Sequence, residues 1–275
     1  AAATACVPFN IPLIHIHGGE LTRGAFDNKF RNAITKISDL HFTSCKKHRD
    51  RVKQMGADPG RVFNVGSISL SAVLSQKTLN RETLSNKYHL PLDKKWVLVT
   101  YHPETSFSNQ QELVQIERNL SEFIVALESL PHFKIITLNN LDTSGLRFRE
   151  HVSNYVEHNK HTATLVENFG SDYFSIMAQS LIMLGNSSSG IIEAASFNLP
   201  VVNVWRRQEG RETSANVIHC NTTVTEILRA FSDAESFSGK SFKNIYFKEN
   251  AIAEVMAILK RFDLSIDNSF NDLNY

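Results

Sequence analysis

Short apolar runs alternate along the chain with longer stretches whose apolar positions recur at helical spacing. The runs Ile11–Ile16, Leu40–Ser44 and Arg61–Val65 predict strands. Between them Lys29–Ser38 and Lys46–Met55 predict helices, the second stopped by Gly56 with Pro59 beyond. That rhythm implies a parallel sheet with crossover helices. A polar stretch from 75 to 95 follows, holding one helix and the turn Leu90-Pro91-Leu92-Asp93. The rhythm then restarts, with strands at Trp96–Tyr101, Lys134–Leu138, Thr164–Glu167, Leu181–Leu184 and Pro200–Val204. Helices are predicted at Gln110–Ser129, Gly145–Glu157, Ser171–Gln179, from Gly190, at Val224–Phe231 and at Glu249–Phe262. In the first of these Leu113, Ile116, Leu120, Phe123 and Leu127 share a face.

The pattern gives an α/β protein of two Rossmann-like units, 1–75 and 76–262, with the segment 263–275 packing back on the first. The first has too few strands for a complete doubly wound domain. Ala1–Cys6 reads as the middle of a helix with no N-cap before it, so upstream structure is expected to be absent from this chain.

Composition narrows the classes. The 275 residues are 42% hydrophobic and 21% charged, enough for one large domain or two modest ones. A net charge of +1, from 29 basic and 28 acidic residues, gives no support to a nucleic-acid or membrane partner, so any anion site is local. Cys6, Cys45 and Cys220 are odd in number and widely spaced, which points to a reducing, cytoplasmic setting and away from a disulfide framework. They have no metal-ligand spacing. No apolar run reaches the roughly 18 residues of a membrane span. The opening AAATACVPFN lacks the basic start of a signal peptide.

Ligands on such sheets sit past the carboxyl ends of strands. Four such segments carry polar chemistry. In Gly185-Asn186-Ser187-Ser188-Ser189-Gly190, followed by Glu193, small residues and hydroxyls at a helix start suit a phosphate or diphosphate; the bland alternative is a plain N-cap. It is neither a Walker A loop nor GxGxxG. His15-Ile16-His17-Gly18-Gly19-Glu20, running on through Gly24, Ala25 and Asp27 to Arg31, sets two acids beside histidines. Glu20 and Asp27 then act as base and acid, or Asp27 caps a helix beginning near Asn28 and Glu20 lies on a solvated loop. In Tyr101-His102-Pro103-Glu104 the proline aims His102 toward a phosphate or a proton transfer, or His102 is a turn residue. Arg206, Arg207 and Arg211 either clamp an anion or coat a surface loop. The other histidines, His41 and His48 among them, read as surface or core residues.

Together these segments resemble one family. The run HIHGGELTRGAFDNKFRNAITKISDLHF resembles the signature region of UDP-N-acetylglucosamine 2-epimerases of the hydrolysing, sialic-acid branch, and RVFNVGS, YHPET, LGNSSSGIIEAASFNLPVVNV and RQEGRET follow in order. The resemblance covers nearly the whole chain. It implies a glycosyltransferase-B type fold with the active site in an interdomain cleft, a UDP-HexNAc substrate and no metal or cofactor. The implied chemistry removes the C2 proton as UDP leaves C1, giving a 2-acetamidoglucal. The hydrolysing branch then adds water to release N-acetylmannosamine and UDP, whereas the non-hydrolysing branch returns UDP to C1. A related branch takes a 2,4-diacetamido sugar, and a glycosyltransferase or a catalytically incomplete UDP-binding fragment are the rival readings. Homodimers or homotetramers are usual in the family.

Carried onto this chain, the resemblance makes Glu20 and Asp27 the acid/base pair and sets His102 against the diphosphate or leaving group. Ser187, Ser188, Ser189 and Gly190 hold the diphosphate and Glu193 the ribose, with His17, Gly18, Arg211 and Arg206 near the substrate. The chain departs from the family in lacking the opening strand with its nucleotide loop and the acidic residue of a Gly-Asp-Arg loop, and in having serines at Gly66–Ser71 where relatives often have Gly-Leu-Asp.

Overall fold

The computed structural model describes residues 1–22, 27–102, 110–138, 143–263 and 272, with the backbone alone at 110–113 and 143–148. The expectations for Gly24, Ala25, Pro103–Ser106 and 139–142 fall outside the described residues, and so does nearly all of 263–275.

The chain divides into two compact units: Ala1–Gln76 with Gly210–Glu212 and Ile245–Tyr275, and Lys77–Glu209 with Thr213–Asn244. In unit 1 the order is α1 (Ala2–Cys6), β1 (Ile14–Ile16), α2 (Asp27–Lys36), β2 (Leu40–Thr43), α3 (Lys46–Gln54), β3 (Val62–Asn64) and α4 (Ile68–Ser75). The strands form a parallel sheet in the order β1-β2-β3, with Ile14 opposite Leu40 and Phe42 opposite Phe63. Every residue of central β2 is buried, whereas edge strand β1 is half-exposed.

Unit 2 runs through α5 (Arg81–Tyr88), β4 (Trp96–Thr100), α6 (Gln110–Ser129), β5 (Phe133–Thr137), α7 (Thr143–His158), β6 (Ala163–Val166), α8 (Tyr173–Gln179), β7 (Ile182–Gly185), α9 (Ser188–Ile192), β8 (Val201–Val204), β9 (Val217–Cys220) and α10 (Val224–Glu235). Its parallel sheet has the order β6-β5-β4-β7-β8-β9. Alternation along each strand feeds two cores, one on each face. Val97, Val99, Ile136, Leu184 and Val202 enter one. Trp96, Leu98, Ile135, Met183 and Val201 enter the other. The connections reverse direction between β4 and β7, so the carboxyl ends of those strands make the topological switch point where ligands settle in such sheets.

The chain then contributes α11 (Ala251–Arg261) to unit 1, correcting the division at 76–262. Val255 and Ile258 complete the core of Leu40, Phe42 and Val65, and Phe63 meets Phe262 edge-on at 6.0 Å. Two elements were not expected. β9 pairs at the rim with only half-buried residues, so it lacks a strong apolar run. α4 follows Ser67 as N-cap without a side-chain cap bond, and its serines hide its buried Leu70 and Val73. No helix among the described residues is long and apolar enough to cross a membrane.

Candidate active site

At the switch point of unit 2, Thr100 of β4 lies opposite Gly185 of β7. Gly185 has φ +142°, and a Cβ there would fall 2.1 Å from the Thr100 carbonyl oxygen. Only glycine lets the two strand ends close this tightly. Asn186 follows, 1% exposed, and its N–H donates to the Thr100 carbonyl at 3.0 Å. Its side chain clamps the main chain of His102: Oδ1 accepts from the His102 N–H at 2.6 Å and Nδ2 donates to the His102 carbonyl at 2.8 Å. Its own carbonyl accepts from Arg207 Nη1 at 3.1 Å and Gln208 Nε2 at 2.8 Å. One buried asparagine therefore ties together the ends of β4, β7 and β8, and this sets where half-buried His102 stands.

Ser187 caps α9, its Oγ accepting from the Ser189 N–H at 3.3 Å. The two hydroxyls are 2.9 Å apart, and Ser189 Oγ meets the Tyr173 hydroxyl at 2.8 Å. Burial pushes the Tyr173 phenol up, against the opposing effect of its hydrogen bonds to Ser189 and Thr100, so it stays protonated. Ser187, Ser188 and Ser189 are half-buried in one turn, and Glu193 follows at its end. Gly190 packs on the sheet. Its Cβ position lies 3.0 Å from Val201 Cγ1 and 3.4 Å from Met183 Sδ, and its N–H donates to the Ser187 carbonyl, so its smallness seats the helix on the sheet.

The expected cluster of three arginines disperses. Arg206 is exposed and stacks 4.9 Å from the Trp205 ring, Arg207 braces Asn186, and Arg211 belongs to unit 1. Trp205 before them holds φ +69°, a left-handed conformation uncommon outside glycine.

In unit 1 the carboxyl end of β1 leads into a buried polar cluster. Glu20 is 7% exposed. Its Oε1 accepts from His17 Nδ1 at 2.8 Å and from Ser44 Oγ at 3.1 Å. Arg211 Nη2 lies 3.5 Å from Oε2, and Arg211 Nε donates to Thr22 Oγ1 at 3.2 Å. Burial alone would raise the Glu20 carboxyl. The His17 bond and the Arg211 charge overcome it and hold the carboxyl at about 2. Glu20 is thus a fixed carboxylate and not a solvated loop acid. His48 stands behind Ser44, its Nδ1 2.9 Å from Ser44 Oγ, and burial lowers it to about 4, so it is neutral near pH 7. Its Nε2 and Arg211 Nη1 are buried without hydrogen-bond partners.

The glycines make this cluster possible. Gly19, at φ +78°, places its Cβ position 2.3 Å from the His48 carbonyl oxygen, and Gly18 places its own 2.9 Å from His15 Nδ1. Gly18 is thereby a packing residue against His15, whose Nδ1 meets Thr35 Oγ1 at 3.1 Å. Asp27 is exposed and opens α2 as its first residue, where its charge suits the helix N-terminus. The Asn28 side chain bonds both Thr22 main-chain groups, accepting from its N–H at 3.0 Å and donating to its carbonyl at 2.8 Å.

Sequence reasoning gave no separate role to Asn186, Gln208, Tyr173, Ser44 or His48. The first four act through partners 16 to 84 residues away, and His48 joins the cluster through Ser44, so local patterning carries little signal for them. Among the described residues no group of three potential ligands is placed to hold a metal.

The comparisons with known proteins fit this frame. The family model described as UDP-N-acetylglucosamine 2-epimerase matches residues 1–260. The hydrolysing GDP/UDP-N,N'-diacetylbacillosamine 2-epimerase of Campylobacter jejuni is 36% identical over 245 residues, 88% of this chain and 61% of the relative. Polysialic acid biosynthesis protein P7 of Escherichia coli is 36% identical over 276 residues, 99% of this chain and 69% of the relative. The chain thus spans about three fifths to two thirds of the length of these relatives. The crystal structure of UDP-GlcNAc 2-epimerase from Neisseria meningitidis bound to UDP-GlcNAc matches with TM-score 0.74 at 17% identity, over 94% of this chain and 73% of that one. Its likeness supports the glycosyltransferase-B type α/β fold. With a family match that runs through both units, the chain belongs to the UDP-N-acetylglucosamine 2-epimerase family.

Proposed function

We propose that the chain acts on UDP-N-acetylglucosamine as a hydrolysing 2-epimerase, eliminating UDP and releasing N-acetylmannosamine. The observation that carries this is the switch point of unit 2. His102, fixed by Asn186, stands beside the capped serine turn Ser187–Ser189, a donor-rich surface suited to a diphosphate. Elimination builds negative charge on the departing diphosphate, and preorganised donors stabilise charge where it develops. In this reading Ser187, Ser188 and Ser189 hold the diphosphate, Glu193 the ribose hydroxyls, and His102 the leaving oxygen. Arg211 and the carboxylates Glu20 and Asp27 belong to the proton chemistry at C2. A second reading, a 2,4-diacetamido sugar on the same UDP carrier, is favoured by the name of the Campylobacter relative.

Calorimetric titration of UDP into the wild type, Asn186→Ala and Ser188→Ala tests the nucleotide half. The expected outcome is UDP binding that both substitutions weaken at least about tenfold, the scale of one lost charge-assisted hydrogen bond. UDP binding that ignores both substitutions removes the support from this site.

A further inference from the structure

Glu20 is poorly placed to carry a proton itself. One carboxylate oxygen is taken by both His17 and Ser44, the other faces Arg211, and the residue is 7% exposed. The ring of His17 is different. Among the described residues only its Nδ1 makes a side-chain hydrogen bond, to Glu20, and its side chain is 30% exposed. His17 holds φ +64°, a left-handed conformation that is costly for a non-glycine residue and is retained where the surroundings impose it. Its N–H donates to the Phe42 carbonyl at 2.8 Å, and Gly18 packs against His15, so the main chain on both sides is fixed. A carboxylate on Nδ1, a second donor bracing that carboxylate, and an open Nε2 form the arrangement by which an orienting acid prepares a histidine for proton transfer.

We propose that His17 is the group that takes the C2 proton of the substrate, with Glu20 as its positioning residue and Ser44 and Arg211 holding Glu20 in place. The proposal rests on the elimination reading above. In the step, the Nε2 lone pair accepts the proton from C2. The C2–H electron pair becomes the C1=C2 bond, and the C1–O pair departs with UDP. The resulting imidazolium is neutralised by the Glu20 carboxylate, which stays ionised. Among the described residues the titratable and charged groups around His17 are Glu20 and His15, with Arg211, His48 and Arg31 next to those two.

His17→Asn in the full chain separates structure from chemistry. Asparagine tolerates positive φ and its amide can still donate to Glu20, but nothing replaces Nε2. Release of UDP from UDP-N-acetylglucosamine is expected to fall about 100-fold or more, with UDP affinity and circular dichroism unchanged. Glu20→Gln is expected to retain measurable turnover with kcat reduced and KM unchanged, because the ring loses the anion that orients it and balances its charge; a purely structural Glu20 would leave the kcat of the folded protein in place. Side-chain nitrogen spectra near neutral pH, which need no turnover, should place the His17 proton on Nδ1. Near wild-type turnover in His17→Asn overturns the proposal while the elimination reading stands, and a proton on Nε2 overturns it as well. A wild-type chain that binds UDP yet releases none from the sugar nucleotide overturns the elimination reading, and the role of His17 falls with it.

Discussion

Replacing Glu20 by glutamine removes one buried charge and keeps the shape, and the cost follows from the surroundings of the carboxylate. The carboxyl is held from the ordinary 4.5 down to about 2 by the His17 bond and the Arg211 charge acting against burial. At about 1.4 kcal/mol per tenfold change in proton affinity, this amounts to roughly 3 kcal/mol of stability. The sign is that of a depressed folded value. The contribution is complete above the unfolded value of 4.5 and is lost as pH falls from there toward about 2. Glu20→Gln should therefore be less stable than wild type by roughly 3 kcal/mol near pH 7, with the gap closing below about pH 4. Arg211, already with one buried unpartnered nitrogen, then loses its anion too. Urea titrations read by circular dichroism measure the gap, and peptide-resolved hydrogen exchange over residues 40–54 assigns it to unit 1. A gap under about 1 kcal/mol near neutrality, or one that persists unchanged in acid, would refute the reasoning.

Gly185→Ala places a Cβ 2.1 Å from the Thr100 carbonyl, so unit 2 should lose about 3 kcal/mol or more, measurable by urea unfolding followed through Trp96 and Trp205. Ile258→Ala, at a site 2% exposed in the core with Leu40 and Phe42, should cost about 2–5 kcal/mol and speed hydrogen exchange in β2 while leaving β4 unchanged.

Much of the strand and helix order was legible because parallel strands buried on both faces read as unbroken apolar runs, as at Trp96–Thr100. The destination of α11 was not legible. An amphipathic stripe states that Val255 and Ile258 are buried but not against which sheet. Strand-end reasoning found the loops of Glu20, His102 and Ser187–Ser189. It could not tell that Arg211 would leave Arg206 and Arg207 to meet Glu20, a pairing across 191 residues of sequence. Nor could spacing reveal that Gly18 and Gly190 are small for the sake of His15 and Val201. The histidines were the least legible, since His48 and His17 differ only in what folding sets beside them.

The central claim is most directly tested by incubating the purified chain with UDP-N-acetylglucosamine and following UDP and free N-acetylmannosamine together. The account predicts both products in equal amounts. Absence of both, with no binding of UDP, would contradict it.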